Sequence, residues 1–127
     1  MDRDGGKLGG CGTLSGVIYK LLTAAEWEAA REAGEFRGSA VDLADGYVHF
    51  SSAEQVVETA ARYFDGQRGL TMLGVDEVTL GDALRWEPSR GGALFPHLYA
   101  PLPVGAVVSV VTLDGDLPVA DAVAAAL

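Results

Sequence analysis

The chain has 127 residues, 49% of them hydrophobic, and a formal net charge of −9 from 18 acidic and 9 basic side chains. The length suits one domain with a real core, and no apolar run is long enough to span a bilayer. The acidic balance, with seven arginines and two lysines scattered along the chain, disfavours nucleic acid and membrane surfaces and leaves a small molecule as the expected partner.

Residues 1–15 are rich in glycine and lack apolar periodicity, which predicts a flexible leader ahead of a single α+β domain over residues 16–127. The leader has no apolar stretch of the secretory kind. Cys11 is the single cysteine and rules out an internal disulfide, so a cytoplasmic location is expected. Val17 to Leu22 reads as the first strand. Thr23-Ala24-Ala25-Glu26 is a capping box: the threonine oxygen can accept from the N–H of Glu26 while the glutamate reaches back. A helix follows to Ala33, with Gly34 as its stop. Gly38 to Gly46 reads as one short helical turn closed by glycine.

Tyr47 to Phe50 is predicted as a strand. Ser51 to Gln55 offers two overlapping capping boxes, Ser51 with Glu54 or Ser52 with Gln55. The helix behind them runs to about Phe64, its apolar residues recurring at three- and four-residue spacing. Leu70 to Val75 is a mostly apolar run and predicts a central strand; Val78 to Asp82 is a connecting turn. Alternation in Ala83 to Glu87 sets Leu84 and Trp86 inward and Arg85 and Glu87 on the other face. Phe95 to Tyr99 is a short strand that Pro96 should confine to an edge or a bulge. Pro101-Leu102-Pro103 turns the chain, Val107 to Leu113 is the clearest strand, and Pro118 to Leu127 forms a terminal helix. Early helices followed by short strands indicate α+β, not a wound parallel sheet.

The only two histidines lie in two strand-like phrases, Gly46-Tyr47-Val48-His49-Phe50-Ser51-Ser52 and Phe95-Pro96-His97-Leu98-Tyr99. Successive strand side chains point to opposite faces, so Tyr47, His49 and Ser51 share one side, and Phe95, His97 and Tyr99 share another. His49 falls where a strand meets a helix N-terminus, a place that favours an anion and where an imidazole can act as acid or base. The bland alternative is a half-buried histidine bonded to a carbonyl. One of Ser51 and Ser52 is a helix cap, which frees the other to face a ligand. Glu87, at a strand end, reads as a general base or ribose anchor, or as a rim charge paired with Arg85 or Arg90. His97 beside Phe95 and Tyr99 reads as a wall for a flat ring or a sugar. His49, His97 and Glu87 also make a two-histidine-one-carboxylate set for a metal, but no spacing such as H-x-x-x-H supports one and none is expected. No phosphate loop, G-x-G-x-x-G or G-x-S-x-G occurs.

Ile18-Tyr19-Lys20, Trp27, Gly46 to Gln55, Arg85-Trp86-Glu87, and Phe95 to Tyr99 with Pro101-Leu102 resemble, in that order, the bacterial domain of unknown function 952 family. The resemblance implies an ADP-ribosyltransferase-like fold: a split, mainly antiparallel β core with flanking helices and a cleft that takes NAD in the relatives. Val48-His49-Phe50-Ser51 is also similar to a phrase of RNA 2′-phosphotransferases. That similarity implies that His49 contacts a ribose or a phosphate, with Ser51 beside it and Glu87 nearest the reacting ribose. No acidic pair of the toxin type stands in a late turn, and no arginine array is present, so action on RNA is not implied. The expectation is a nucleotide-like ligand, with NAD as candidate, in a cleft where His49 and Glu87 are catalytic and Tyr47, Ser51, Arg85, His97 and Tyr99 bind substrate. A non-catalytic binding domain and a metal-dependent enzyme are the alternatives.

Overall fold

The structure, a computed structural model, describes residues 16–127; the leader and Cys11 lie outside the described residues. The first strand, β1 (Val17–Leu22), pairs antiparallel with β4 (Thr71–Asp76), which pairs in turn with β8 (Val107–Thr112). Ile18 and Leu22 of β1 join one apolar cluster and Leu21 another. A strand buried on both faces reads as a near-continuous apolar run; β4 reads so through Met72, Leu73 and Val75, and β1 does apart from Lys20. Leu73 and Val75 of β4 are fully enclosed, each contributing roughly 1.5–3 kcal/mol by burial.

A second three-stranded antiparallel sheet has the order β3 (Val48–His49), β6 (Leu94–Leu98), β5 (Leu84–Pro88). The two sheets share the first apolar cluster and are linked along the backbone by a bridge between Tyr19 and Ser51. Tyr19 donates to the carbonyl of Ser51 at 2.7 Å, and Ser51 donates back at 2.9 Å. Among the described residues the architecture is therefore α+β with antiparallel sheets and flanking helices, as the element order suggests.

The helices follow their local chemistry. In α1 (Ala24–Ala33) the Thr23–Glu26 box closes at 3.0 and 2.9 Å, and Gly34 adopts φ 87° as the stop. Its Trp27 packs against the first cluster. A second reciprocal box opens α2 (Ala40–Asp45), with Ser39 and Asp42 as partners. α3 (Val56–Tyr63) and α4 (Val119–Ala126) pack together over the second cluster, through Val56, Ala60, Val119 and Val123.

Several expectations are corrected. Neither serine hydroxyl caps α3: Gln55 occupies the cap, and its side-chain oxygen accepts from the Ser52 N–H at 3.0 Å. Leu102–Pro103 is not a bare turn but a strand, β7, paired with β2 (Glu35–Phe36). Val78 to Asp82 lies within a 3-10 segment, Glu77–Ala83. Pro96 sits in the central strand of its sheet, not at an edge. The ladder tolerates it because β3 stops at His49; beyond that point Phe50 donates to the Pro96 carbonyl at 3.0 Å, and no proline N–H is needed. Trp86 is not inward: it is 39% exposed, and its indole N–H donates to Glu77 at 3.1 Å.

Candidate active site

Register brings the two histidines together. His49 on β3 lies directly opposite His97 on β6, and His97 is opposite Arg85 on β5. Directly opposed residues of an antiparallel pair project to the same face, so Arg85 and both imidazoles share it. The histidine rings lie 5.7 Å apart, edge to face. Tyr47 covers both, stacked on His97 at 4.0 Å and tilted against His49 at 4.6 Å. The Tyr99 ring is 5.3 Å from that of Tyr47, and the Arg85 guanidinium sits 5.2 Å from the Tyr99 centroid.

A cleft of about 570 Å³ opens on this cluster. Of the residues singled out from the sequence, Tyr47, His49, Ser51 and His97 line it, together with Phe95. Arg85, Glu87 and Tyr99 do not. Glu87 is instead bonded to His97 Nδ1 at 2.8 Å and accepts from the Tyr99 hydroxyl at 2.7 Å. Its carboxyl is held below the usual carboxylate range, first by the His97 hydrogen bond and then by that of Tyr99. The same bond to Glu87 raises the Tyr99 phenol. With Nδ1–H donating to the carboxylate, Nε2 has no partner among the described residues. The His97 side chain is only 4% exposed.

His49 is arranged differently. It does not abut the N-terminus of α3, since Phe50 to Gln55 intervene; its partners are both on α2. Asp42 bonds its ring Nδ1 at 2.5 Å and its backbone N at 3.0 Å, and Asp45 meets Nε2 at 2.9 Å. Both carboxylates are satisfied together only when both ring nitrogens carry protons.

Behind His49 lies a buried ion pair that sequence reasoning missed. Lys20 shares the face of Ile18 and Leu22 on β1, inside the apolar layer, where an unpaired ammonium would be costly. Both Asp42 oxygens hold its Nζ, at 2.8 and 3.1 Å, and the Phe36 ring lies 5.7 Å from it. Burial pushes the Lys20 ammonium down from its ordinary value despite Asp42. Burial acts to raise the Asp42 carboxyl, but the His49 hydrogen bond, the Lys20 charge and the Ser39 N–H together hold it far below the usual range. The Tyr47 phenol is raised by burial and by the nearby Asp45, Glu87 and Asp42 carboxylates. One sequence signal pointed to Asp42: Ser39-x-x-Asp42 is a capping-box spacing. Ser51 faces Thr59 of α3, hydroxyl to hydroxyl, at 2.8 Å.

Among the described residues no three histidine, cysteine or acidic side chains are grouped to hold a metal ion. None of the described helices is long and apolar enough to cross a membrane. What remains is an α+β domain whose cleft presents two carboxylate-bound imidazoles under an aromatic cover. The family described as "Protein of unknown function (DUF952)" matches residues 21–110, and the chain belongs to that family. It is similar to protein CC0527 of Caulobacter crescentus. In the X-ray structure of that protein the identity is 52% and the TM-score 0.78, over 85% of this chain and 98% of that one. In its solution NMR structure the identity is 56% and the TM-score 0.70, over 77% of this chain and 84% of that one. None of the curated proteins matches the chain.

Proposed function

We propose that the chain binds a small nucleotide-like molecule, a flat ring joined to a sugar, in the cleft beside His49 and His97, and acts at its ribosyl bond. The observation that carries this reading is the buried His97 ring, tied at Nδ1 to Glu87 and unpartnered at Nε2 among the described residues. A buried polar atom without a partner is costly, so it marks where a ligand or a water belongs. In this reading Glu87 holds the tautomer in which Nε2 can take a proton, and His97 is the general base. Glu87 then acts through His97 and not at the reacting ribose itself. His49 and Tyr47 orient the substrate, and the surrounding carboxylates favour positive charge developing on a ribose.

Three further features support the reading. The cleft volume falls in the range of small-molecule sites. Tyr47 and the imidazoles offer stacking surface. The pair of antiparallel sheets joined at Tyr19 and Ser51 suits the ADP-ribosyltransferase-like split core that the family resemblance implies, which makes NAD the first ligand to try. A second reading, a binding domain without turnover, draws on the engagement of both His49 nitrogens and of Glu87 with internal partners.

Thermal unfolding with NAD, ADP-ribose and simple nucleosides tests binding. A ligand at 100 times its Kd should add about 2.7 kcal/mol. Chromatography of the same mixtures tests turnover, seen as release of the free ring, and His97→Gln should abolish it. Binding without release leaves the second reading; no shift with any nucleotide or nucleoside removes both.

A further inference from the structure

The charges around the cleft bear on which ring-and-sugar molecule it takes, given the reading above. Glu26 and Asp45 line the wall, and Asp42 lies directly beneath it. Against these three carboxylates stands one ammonium among the described lining residues, Lys20. It is buried and already held by both oxygens of Asp42. The His49 nitrogens face Asp42 and Asp45. No arginine is among the described residues that line the cleft, so none of these offers a free cation to a phosphate. Two acceptors face the cleft, Nε2 of His97 in the tautomer that Glu87 favours and the outward side of Asp45, whose side chain is 45% exposed. The Tyr47 ring lies in the same negative surroundings, and an aromatic face among carboxylates attracts cations.

We infer that the cleft selects a nucleoside-like ligand whose ring is cationic or rich in N–H donors and which carries no phosphate, with the ring resting on Tyr47 and its charge facing Asp45. A phosphate-bearing relative of the same ligand, NAD included, binds more weakly than the phosphate-free nucleoside, because its anion meets carboxylates with no free cation among the described lining residues to offset them.

Isothermal titration of the full chain with three probes tests this: nicotinamide riboside (cationic, without phosphate), nicotinamide (neutral) and ADP-ribose (anionic). The expected order places nicotinamide riboside about tenfold or more ahead of the other two. Asp45→Asn, at a half-exposed position, keeps the shape of the side chain and removes its charge; it should weaken nicotinamide riboside by about tenfold and leave nicotinamide within about twofold. ADP-ribose binding more tightly than nicotinamide riboside would overturn the inference and leave the proposed function standing. Equal affinity for the cationic and neutral probes, untouched by Asp45→Asn, would also overturn it. No binding by any probe would remove the inference and the proposed function together.

Discussion

The carboxylate of Asp42 binds His49 at two atoms, the backbone nitrogen at 3.0 Å and the ring Nδ1 at 2.5 Å, so one side chain holds both the backbone at the end of β3 and the turn of its histidine ring. The same carboxylate closes the N-terminal box of α2 and neutralises Lys20 on β1. The remote strand β1 thus meets the neighbouring α2 and β3 at one buried acid. The histidine on the cleft wall is only as well placed as that acid.

Removing the acid should therefore disturb fold and site together. Asp42→Asn leaves the Lys20 ammonium buried without a counter-charge, and such losses cost about 3–5 kcal/mol. Lys20→Met added to Asp42→Asn should recover more than half of that loss, because the uncompensated charge is gone. Urea unfolding of the single and double variants measures both. If Asp42→Asn lies within about 1 kcal/mol of the parent, the pair does not organise this region.

The pH dependence of stability follows from the same carboxyl. Its folded pKa lies well below its unfolded one, since His49, Lys20 and Ser39 outweigh the effect of burial. As pH falls, the unfolded chain takes up the proton first. The stability contribution is thus complete above about pH 4, the unfolded value, and is lost as pH drops toward the folded value. Glu87 shifts in the same direction through His97 and Tyr99, with less effect because it is solvated. The urea midpoint should stay nearly level from pH 7 to 5 and fall steeply below 4. Asp42→Asn should flatten that fall, and an unchanged slope would contradict the assignment.

Glu87→Gln tests the tether on His97. A carboxylate accepts from Nδ1–H, whereas an amide can also donate, so the preference for that tautomer weakens. Nitrogen-15 NMR of the imidazoles should show His97 leaving the Nδ1–H form while His49 is unmoved. Under the proposed chemistry turnover should fall by about 10²-fold or more with affinity nearly kept. A drop in affinity with the tautomer intact would instead make Glu87 a direct ligand contact.

The sequence made the long elements legible because their signals are local. β1, β4, α1 and α4 show apolar runs or caps within a few residues of one another. Alternation also assigned His49 and His97 to faces that could meet, and the register joins those faces. Lys20 escaped notice because an apolar strand gives no hint that its lysine has a buried partner 22 residues away. β2 and β7 escaped because two-residue strands have no period to read. Trp86 broke the alternation rule because β5 is an edge strand, and its inward face is only partly covered. Glu87 was found, but its role depends on which side of His97 it occupies, and spacing alone does not specify that.

Gly38 supplies the last test, because it backs directly onto Asp42. It adopts φ +126°, and a Cβ there would stand 2.8 Å from the Asp42 Cβ. That atom is the root of a buried side chain and not a free end, so it cannot swing away. Gly34 also has a positive φ, +87°, but a Cβ there meets nothing within 4 Å. Both alanine substitutions carry backbone strain of about 1–2 kcal/mol. Only Gly38→Ala adds a collision, which should cost about 1–3 kcal/mol more. Because Asp42 must shift, Gly38→Ala should also move the amide resonance of His49, and Gly34→Ala should not. Equal urea midpoints for the two variants would show that the backbone of residue 38 has room to yield, and that Asp42 is held in place by its hydrogen bonds alone.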